Sequence, residues 1–208
     1  MAPWMAERAG LIVDYGGVLT TDVFASFRAF CAAEGLEPDT VRDHFRGDPE
    51  ARGLLEALEV GAISEAEYEP RLAAVLGVGA NGLIDRMFGH MEPDVAMLDG
   101  VRAARRAGIR TGMLSNSWGD DRYDRAQLSE LFDAWVISGE VGIRKPDPAI
   151  YALAAERLEL EPAACVFVDD LPGNLKPALA LGMGTVLHRG DAAATLAEAG
   201  ALLGVSLR

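Results

Sequence analysis

The sequence predicts an α/β fold, a doubly wound parallel sheet carrying a small all-helical insert. Short apolar runs at 11–13, 109–114, 134–138, 165–168 and 185–188 have the length and composition of buried strands. From Pro93 onward these runs alternate with helical periodicities, the rhythm of parallel strands joined by right-handed crossovers. Between residues 20 and 92 no segment alternates as a strand does, so that stretch reads as all helix. The expected division is a core of 1–19 and 93–208 and a helical unit of 20–92.

The first strand, Leu11-Ile12-Val13, is cut off by Asp14 and the pair Gly16-Gly17. A carboxylate there lies where open α/β sheets place their ligands, and the glycines allow a sharp turn beside it. Val23, Phe24, Phe27, Phe30 and Cys31 recur at helical spacing, with Thr21 or Asp22 as cap and Gly35 and Pro38 as stops. Helices are expected at about 39–46, 49–60, 64–76 and 81–90, and Ser64 with Glu67 forms a capping box for the third of these.

A helix through Val95, Leu98, Val101 and Ala104 ends at Gly108, and the strand at 109–114 then runs into Ser115-Asn116-Ser117. A helix around 122–132 leads to the strand at 134–138, followed by a loop, 139–146, carrying Arg144 and Lys145. Asp147 caps a helix with Pro148 at its first position, running to about residue 158. The strand at 165–168 ends in Asp169-Asp170. A helix near 173–181, a strand at 185–188 and a last helix from Asp191 close the chain. Asp120-Asp121, by contrast, reads as a solvated turn at a helix N-terminus.

The chain has 208 residues, half of them hydrophobic, with a formal net charge of −13. That charge argues against nucleic acid, whose phosphates demand Lys and Arg, but a local pocket can still oppose the global sign and take a small phosphorylated molecule. The opening residues have no apolar signal region, and no run is long enough to span a membrane. Cys31 and Cys165 fit no metal spacing and read as core residues of a cytoplasmic protein. The sequence does not specify an oligomeric state.

The side chains at the strand ends are chemically complementary. A parallel sheet gathers Asp14, Ser115, Lys145 and the pair Asp169-Asp170 along one edge. Three carboxylates at one point call for a cation, and hard oxygen ligands suit Mg²⁺. A lysine and a serine hydroxyl opposite them can hold phosphate oxygens.

In this order, Asp14-Tyr15-Gly16-Gly17-Val18, Leu114-Ser115-Asn116, Lys145-Pro146 and Val168-Asp169-Asp170 resemble the four motifs of the haloacid dehalogenase superfamily of phosphohydrolases. The helical unit falls where that superfamily places its first type of cap domain, over a Rossmann-like core. The pattern is similar in particular to a subgroup with glycine at the third position of the first motif, which includes sugar-1-phosphate phosphatases. The resemblance implies that Asp14 is the nucleophile and forms an aspartyl-phosphate. It implies that Ser115 and the backbone N–H of Asn116 bind the transferring phosphoryl group, and that Lys145 offsets charge. It also implies that Mg²⁺ is held by Asp14, the carbonyl of Gly16, Asp170 and, directly or through water, Asp169.

Gly16 is a departure, because most phosphatases of the superfamily have an Asp there as general acid and base. The chain therefore suits substrates whose leaving group needs little protonation (acyl, aryl or anomeric sugar phosphates), or takes a proton from a cap residue such as His44, or turns over poorly. The expected function is a Mg²⁺-dependent phosphatase of a small phosphorylated metabolite. The alternatives are a catalytically weak phospho-ligand or partner-binding protein and, third, a metal-free dehalogenase. Arg46, Arg52 and Trp118 are candidate substrate contacts.

Overall fold

Gly10-Leu11-Ile12-Val13 forms strand β1 (Gly10–Val13) and is buried at every position, as a strand covered on both faces must be. The structure, a computed structural model, describes residues 8–119 and 122–207, so the expected turn at Asp120-Asp121 lies outside the described residues. The other strands are β2 (Arg110–Ser115), β3 (Ala134–Ile137), β4 (Cys165–Asp169) and β5 (Gly184–Leu187). They form one sheet in the order β3-β2-β1-β4-β5, with every pairing parallel.

The register explains where the site sits. Val13 is level with Met113 on one side and Val168 on the other, so Asp14, Ser115 and Asp169 leave the sheet within one or two residues of the same line. The amide of Asp14 continues the ladder to the carbonyl of Val168, 2.9 Å away.

Alternation of side chains along the strands divides the interior into two layers. Leu11 and Val13 face α6 (Val95–Arg106), α7 (Arg125–Leu131) and α11 (Ala192–Leu203), through Met97, Val101, Leu128, Leu131, Leu196 and Leu203. Ile12 faces the other way, toward α9 (Pro148–Arg157) and α10 (Pro172–Ala180), with Ile150, Tyr151, Phe167 and Ala178. One-turn α8 (Ser138–Val141) follows β3 directly.

A third apolar cluster belongs to α1 (Val23–Glu34), α2 (Thr40–Gly47), α3 (Pro49–Glu59), α4 (Glu65–Leu76) and α5 (Leu83–Phe88). Its buried members include Phe27, Phe30, Leu54, Leu58, Tyr68, Leu72 and Met87. Two short connections join this layer to the sheet and run side by side: Thr20 bridges Pro93, Thr21 N–H donates to Glu92 O (2.8 Å) and Asp94 N–H to Leu19 O (2.9 Å).

Local signals fixed the helix ends. Asp22 caps α1 and Asp147 caps α9 with Pro148 behind it, while Ser64 and Glu67 make the expected capping box. Some boundaries moved. The helix expected from 122 starts at Arg125, because the Asp124 carboxylate accepts from the amides of Ala126 and Gln127. The segment expected to be loop from 139 begins with α8, and the strand before it stops at Ile137, because the Ser138 side chain turns to accept from Ser117 N–H at 2.7 Å. The helix expected over 81–90 is confined to Leu83–Phe88, behind Gly82 in the left-handed region. Among the described residues no helix is long and apolar enough to cross a membrane.

Candidate active site

Asp14, Ser115, Asn116, Lys145 and Asp170 line one cavity of about 610 Å³ between the carboxyl edge of the sheet and the helical layer. The geometry is centred on Lys145. Its ammonium is 2.8 Å from Asp14 Oδ1 and 2.8 Å from Asp169 Oδ2, and its side chain is 1% exposed. Burial alone would favour loss of its proton, but the two carboxylates outweigh that and push its pKa above the ordinary lysine range. Lys145 is therefore a fixed cation.

Asp14 is buried, and its carboxyl pKa is raised by that burial and by Asp169 and Asp170, with Lys145 opposing. Its Oδ1 also accepts from Tyr15 N–H at 2.7 Å, which fixes the orientation of the carboxylate. Asp170 is pushed up to about 6 by burial and by Asp169. Oxygen atoms of Asp14, Asp169 and Asp170 all lie within 4.8 Å of one another. Gly17, at φ 76°, passes so close that a Cβ there would be 2.6 Å from Asp170 Oδ2, so only glycine fits both the turn and the carboxylate.

Asp169 is occupied differently. It is fully buried, and besides Lys145 it accepts from Leu171 N–H (2.8 Å) and from the Asn174 amide (3.0 and 3.1 Å). Its oxygens are committed to organising the strand end, whereas Asp170 lies toward the cavity. Gly16 also lines the cavity.

Ser115 Oγ is 2.9 Å from the Tyr123 hydroxyl. The Asn116 side chain clamps the backbone of Lys145, its Oδ1 accepting from Lys145 N–H (2.8 Å) and its Nδ2 donating to Lys145 O (3.1 Å). The loop between β2 and α7 thus holds the loop that carries the lysine. Glu59, at the end of α3, is buried and paired with Arg144, the residue before Lys145, and burial raises its pKa.

Of the other expected contacts, Arg46 of the helical layer and Trp118 of the loop after β2 line the cavity, and two do not. His44 lies instead along a shallow groove with Asp39 and Asp43, with Nδ1 3.3 Å from Asp48 Oδ2. Arg52 spends its guanidinium on the carbonyls of Phe45 and Arg46. Sequence reasoning missed Asn174, Tyr123, Glu59 and Arg42. Asn174 was findable, because a polar side chain in the first turn of α10 faces back to the strand end that precedes it. Tyr123 depends on how the loop before α7 folds, for which the sequence carries no periodic signal.

A five-stranded parallel sheet with an acid after its first strand and a buried lysine beside it defines an α/β protein with a charged site at the carboxyl edge of its sheet. The match to known proteins makes this specific: the chain is a member of the haloacid dehalogenase-like hydrolase family, whose model matches residues 9–182. Among curated relatives, the bifunctional epoxide hydrolase 2 of Sus scrofa is 35% identical over 132 residues, covering 60% of this chain and 24% of that protein. The glyceraldehyde 3-phosphate phosphatase of Methanopyrus kandleri is 30% identical over 128 residues, covering 60% of this chain and 54% of that one. The chain thus spans between a quarter and about half of the length of these relatives. A family enzyme of Bacteroides thetaiotaomicron, solved in complex with magnesium and inorganic phosphate, superposes with a TM-score of 0.68 at 22% identity, covering 88% of this chain and 96% of that one.

Proposed function

We propose that this hydrolase is a Mg²⁺-dependent phosphatase acting on a small phosphorylated metabolite through an aspartyl-phosphate on Asp14. The observation that carries the proposal is the pairing of a buried, oriented carboxylate, Asp14, with a buried cation, Lys145, at the floor of a cavity. The phosphatase among the relatives supports it.

The donor set fits the metal. Asp14, Asp170 and the Gly16 carbonyl are hard oxygen donors on the cavity floor, and burial together with the neighbouring Asp169 charge raises the pKa of Asp170, a penalty on its ionised form that a cation would relieve. Bound there, Mg²⁺ would neutralise charge on the phosphoryl oxygens. Asp169, already satisfied by four donor contacts, acts through Lys145 and Asn174.

Asp14 attacks phosphorus while Lys145 favours its ionised form and offsets the charge of the incoming phosphate. Ser115 Oγ and the Asn116 N–H receive the phosphoryl oxygens, and Tyr123 holds the serine hydroxyl in place. Residues 20–92 serve as the cap that excludes water from the core formed by 1–19 and 93–208. We assign the protein to the cytoplasm; Cys31 and Cys165 are buried and unpaired.

The test is p-nitrophenyl phosphate hydrolysis with and without Mg²⁺, beside Asp14→Asn. Release that needs both the metal and Asp14 supports the proposal. Silence across a panel of phosphate esters favours the weakly catalytic binding protein, the reading that Gly16 suggests, and metal-free halide release favours a dehalogenase.

A further inference from the structure

The cavity is larger than a phosphoryl group requires; its 610 Å³ is of the size that encloses a whole small organic molecule. Its two ends differ in chemistry. The floor is polar, and the opposite wall is Phe24, Phe27, Phe45, Leu55, Phe88 and Trp118. Trp118 is the centre of that wall, with its ring 4.9 Å from Phe88 and 5.8 Å from both Phe27 and Phe45, all edge-on. Phe24, Phe45, Phe88 and Trp118 are only half-buried and line the cavity, so part of each ring meets it.

This wall is registered to the phosphoryl site. Trp118 lies three residues after Ser115, and Arg122 fixes it by donating to its carbonyl at 2.9 Å while pairing with Glu65 and Asp85. The polar groups nearby are already engaged: Glu59 with Arg144, Arg122 as described, and Thr20 with the Gly17 N–H. Arg42 is paired with Asp39 and Asp43. Arg46, exposed and without an acidic partner among the described residues, is left to draw an anion into a chain of net charge −13. Among the described residues a sugar in this space would find only Arg46 and Glu92 with unengaged side chains along a wall that is otherwise aromatic, whereas an aromatic ring would pack against that wall.

The second observation concerns the leaving group. Position 16 is glycine, and the cavity-lining carboxylates besides Asp14 and Asp170 are Glu59, tied to Arg144, and Glu92, on the exposed connection to the helical layer. Among the described residues no buried carboxyl apart from Asp169 and Asp170 adjoins Asp14 to protonate a departing oxygen.

From these two observations we infer that the substrate is an aryl phosphate, an aromatic hydroxyl esterified to phosphate, with its ring against Trp118; the inference rests on the phosphatase reading above. A phenol has a pKa of about 10, so its oxygen leaves as phenolate without the acid that an alkoxide needs. As the bond between Asp14 and phosphorus forms, the bond between phosphorus and the aryl oxygen breaks. The electron pair departs with the phenolate, which takes a proton from solvent. Water then attacks the phosphorus of the aspartyl-phosphate, the bond to Asp14 breaks, its electron pair returns to the carboxylate, and one proton is released. One aryl phosphate and one water become one phenol and one hydrogen phosphate.

The test compares 2-naphthyl phosphate, acetyl phosphate and an anomeric hexose 1-phosphate with Mg²⁺, using the wild type, Trp118→Ala and Trp118→Phe. Wild-type kcat/KM for the naphthyl ester is expected to exceed that for the hexose ester by about tenfold or more, and Trp118→Ala to raise KM for the naphthyl ester by about tenfold, with Trp118→Phe restoring most of it and acetyl phosphate far less affected. Calorimetric binding of 2-naphthyl phosphate to Asp14→Asn, with and without Trp118→Ala, is expected to weaken by the same factor. Preference of the wild type for the hexose or acetyl ester overturns the inference, as does an equal effect of a folded Trp118 variant on all three esters. If no ester is hydrolysed, the phosphatase reading itself falls; if the hexose ester alone is hydrolysed, only this inference does.

Discussion

Lys145 Nζ lies 2.8 Å from Asp14 Oδ1, and the lysine side chain is 1% exposed. The same ammonium is 2.8 Å from Asp169 Oδ2, so one buried cation balances two buried carboxylates. Removing the cation leaves both charges uncompensated. Lys145→Met should therefore cost about 3–5 kcal/mol of stability, read from the urea midpoint at neutral pH, and it should abolish turnover. An unchanged midpoint would mean that the carboxylates are not held ionised by this lysine.

Gly17 sits at φ 76° with Asp170 pressed against its Cα, where a Cβ would lie 2.6 Å from Oδ2. Gly17→Ala meets two penalties at once, the left-handed backbone and the displaced carboxylate. The variant should weaken Mg²⁺ binding, measured by calorimetry, by about tenfold or more, since the Asp170 oxygen must move by a large fraction of a bond length.

Gly16 behaves differently. Its φ is not in the left-handed region, and a Cβ would meet only the Val23 side chain, at 3.2 Å. Gly16→Asp should fold. It should raise kcat for alkyl phosphates by about 10²-fold, toward the range typical of general acid catalysis, and do little for aryl esters. A folded variant with no gain on alkyl esters would show that a missing acid is not what limits turnover.

The strand ends were legible because four apolar runs stop at polar residues, and a parallel sheet has only one edge to gather them on. Asp14, Ser115, Lys145 and Asp170 accordingly line a single cavity. What could not be read was which group each polar side chain spends itself on. Asn116 was expected to contribute its N–H, and its side chain turns out to clamp Lys145. His44 was the titratable residue that sequence alone made attractive in the helical insert, yet it turns to Asp48 along the helix, away from the cavity. Helical spacing fixes the face a residue occupies, but which face meets the cavity depends on how α2 docks, and no local pattern encodes that. The aromatic wall is another case: Phe27 recurs at helical spacing and is buried in the helical layer, but Trp118 from a loop completes the wall.

The three carboxylates predict a thermal response. If Asp14 and Asp170 hold Mg²⁺, saturating metal should stabilise the folded state by about 2.7 kcal/mol at a hundredfold excess over Kd, visible as a rise in Tm that chelation reverses. Asp170→Asn should remove most of that rise and, by relieving the crowded charge, should leave the metal-free protein at least as stable as the wild type at pH 7. A metal-induced shift that survives Asp170→Asn would locate the cation elsewhere.

Glu59 and Arg144 join the end of α3 to the loop that carries Lys145, and the Glu59 side chain is 7% exposed. Burial raises the Glu59 pKa above its ordinary 4.5, and Arg144 opposes the rise. Removing the arginine must raise it further. An acid whose folded pKa is raised contributes stability that is present below its unfolded pKa and is lost as pH rises through the folded value. Arg144→Ala should therefore cost little at pH 4.5, where Glu59 can keep its proton, and about 3–5 kcal/mol at pH 8, where a lone buried carboxylate must ionise. Urea midpoints at the two pH values, for the wild type and for Arg144→Ala with and without Glu59→Gln, check this. The added glutamine should flatten the pH dependence, because it removes the titrating group and keeps the shape. If the cost of Arg144→Ala is the same at both pH values, the arginine acts by packing rather than by charge. The link between the helical layer and the lysine loop would then be steric.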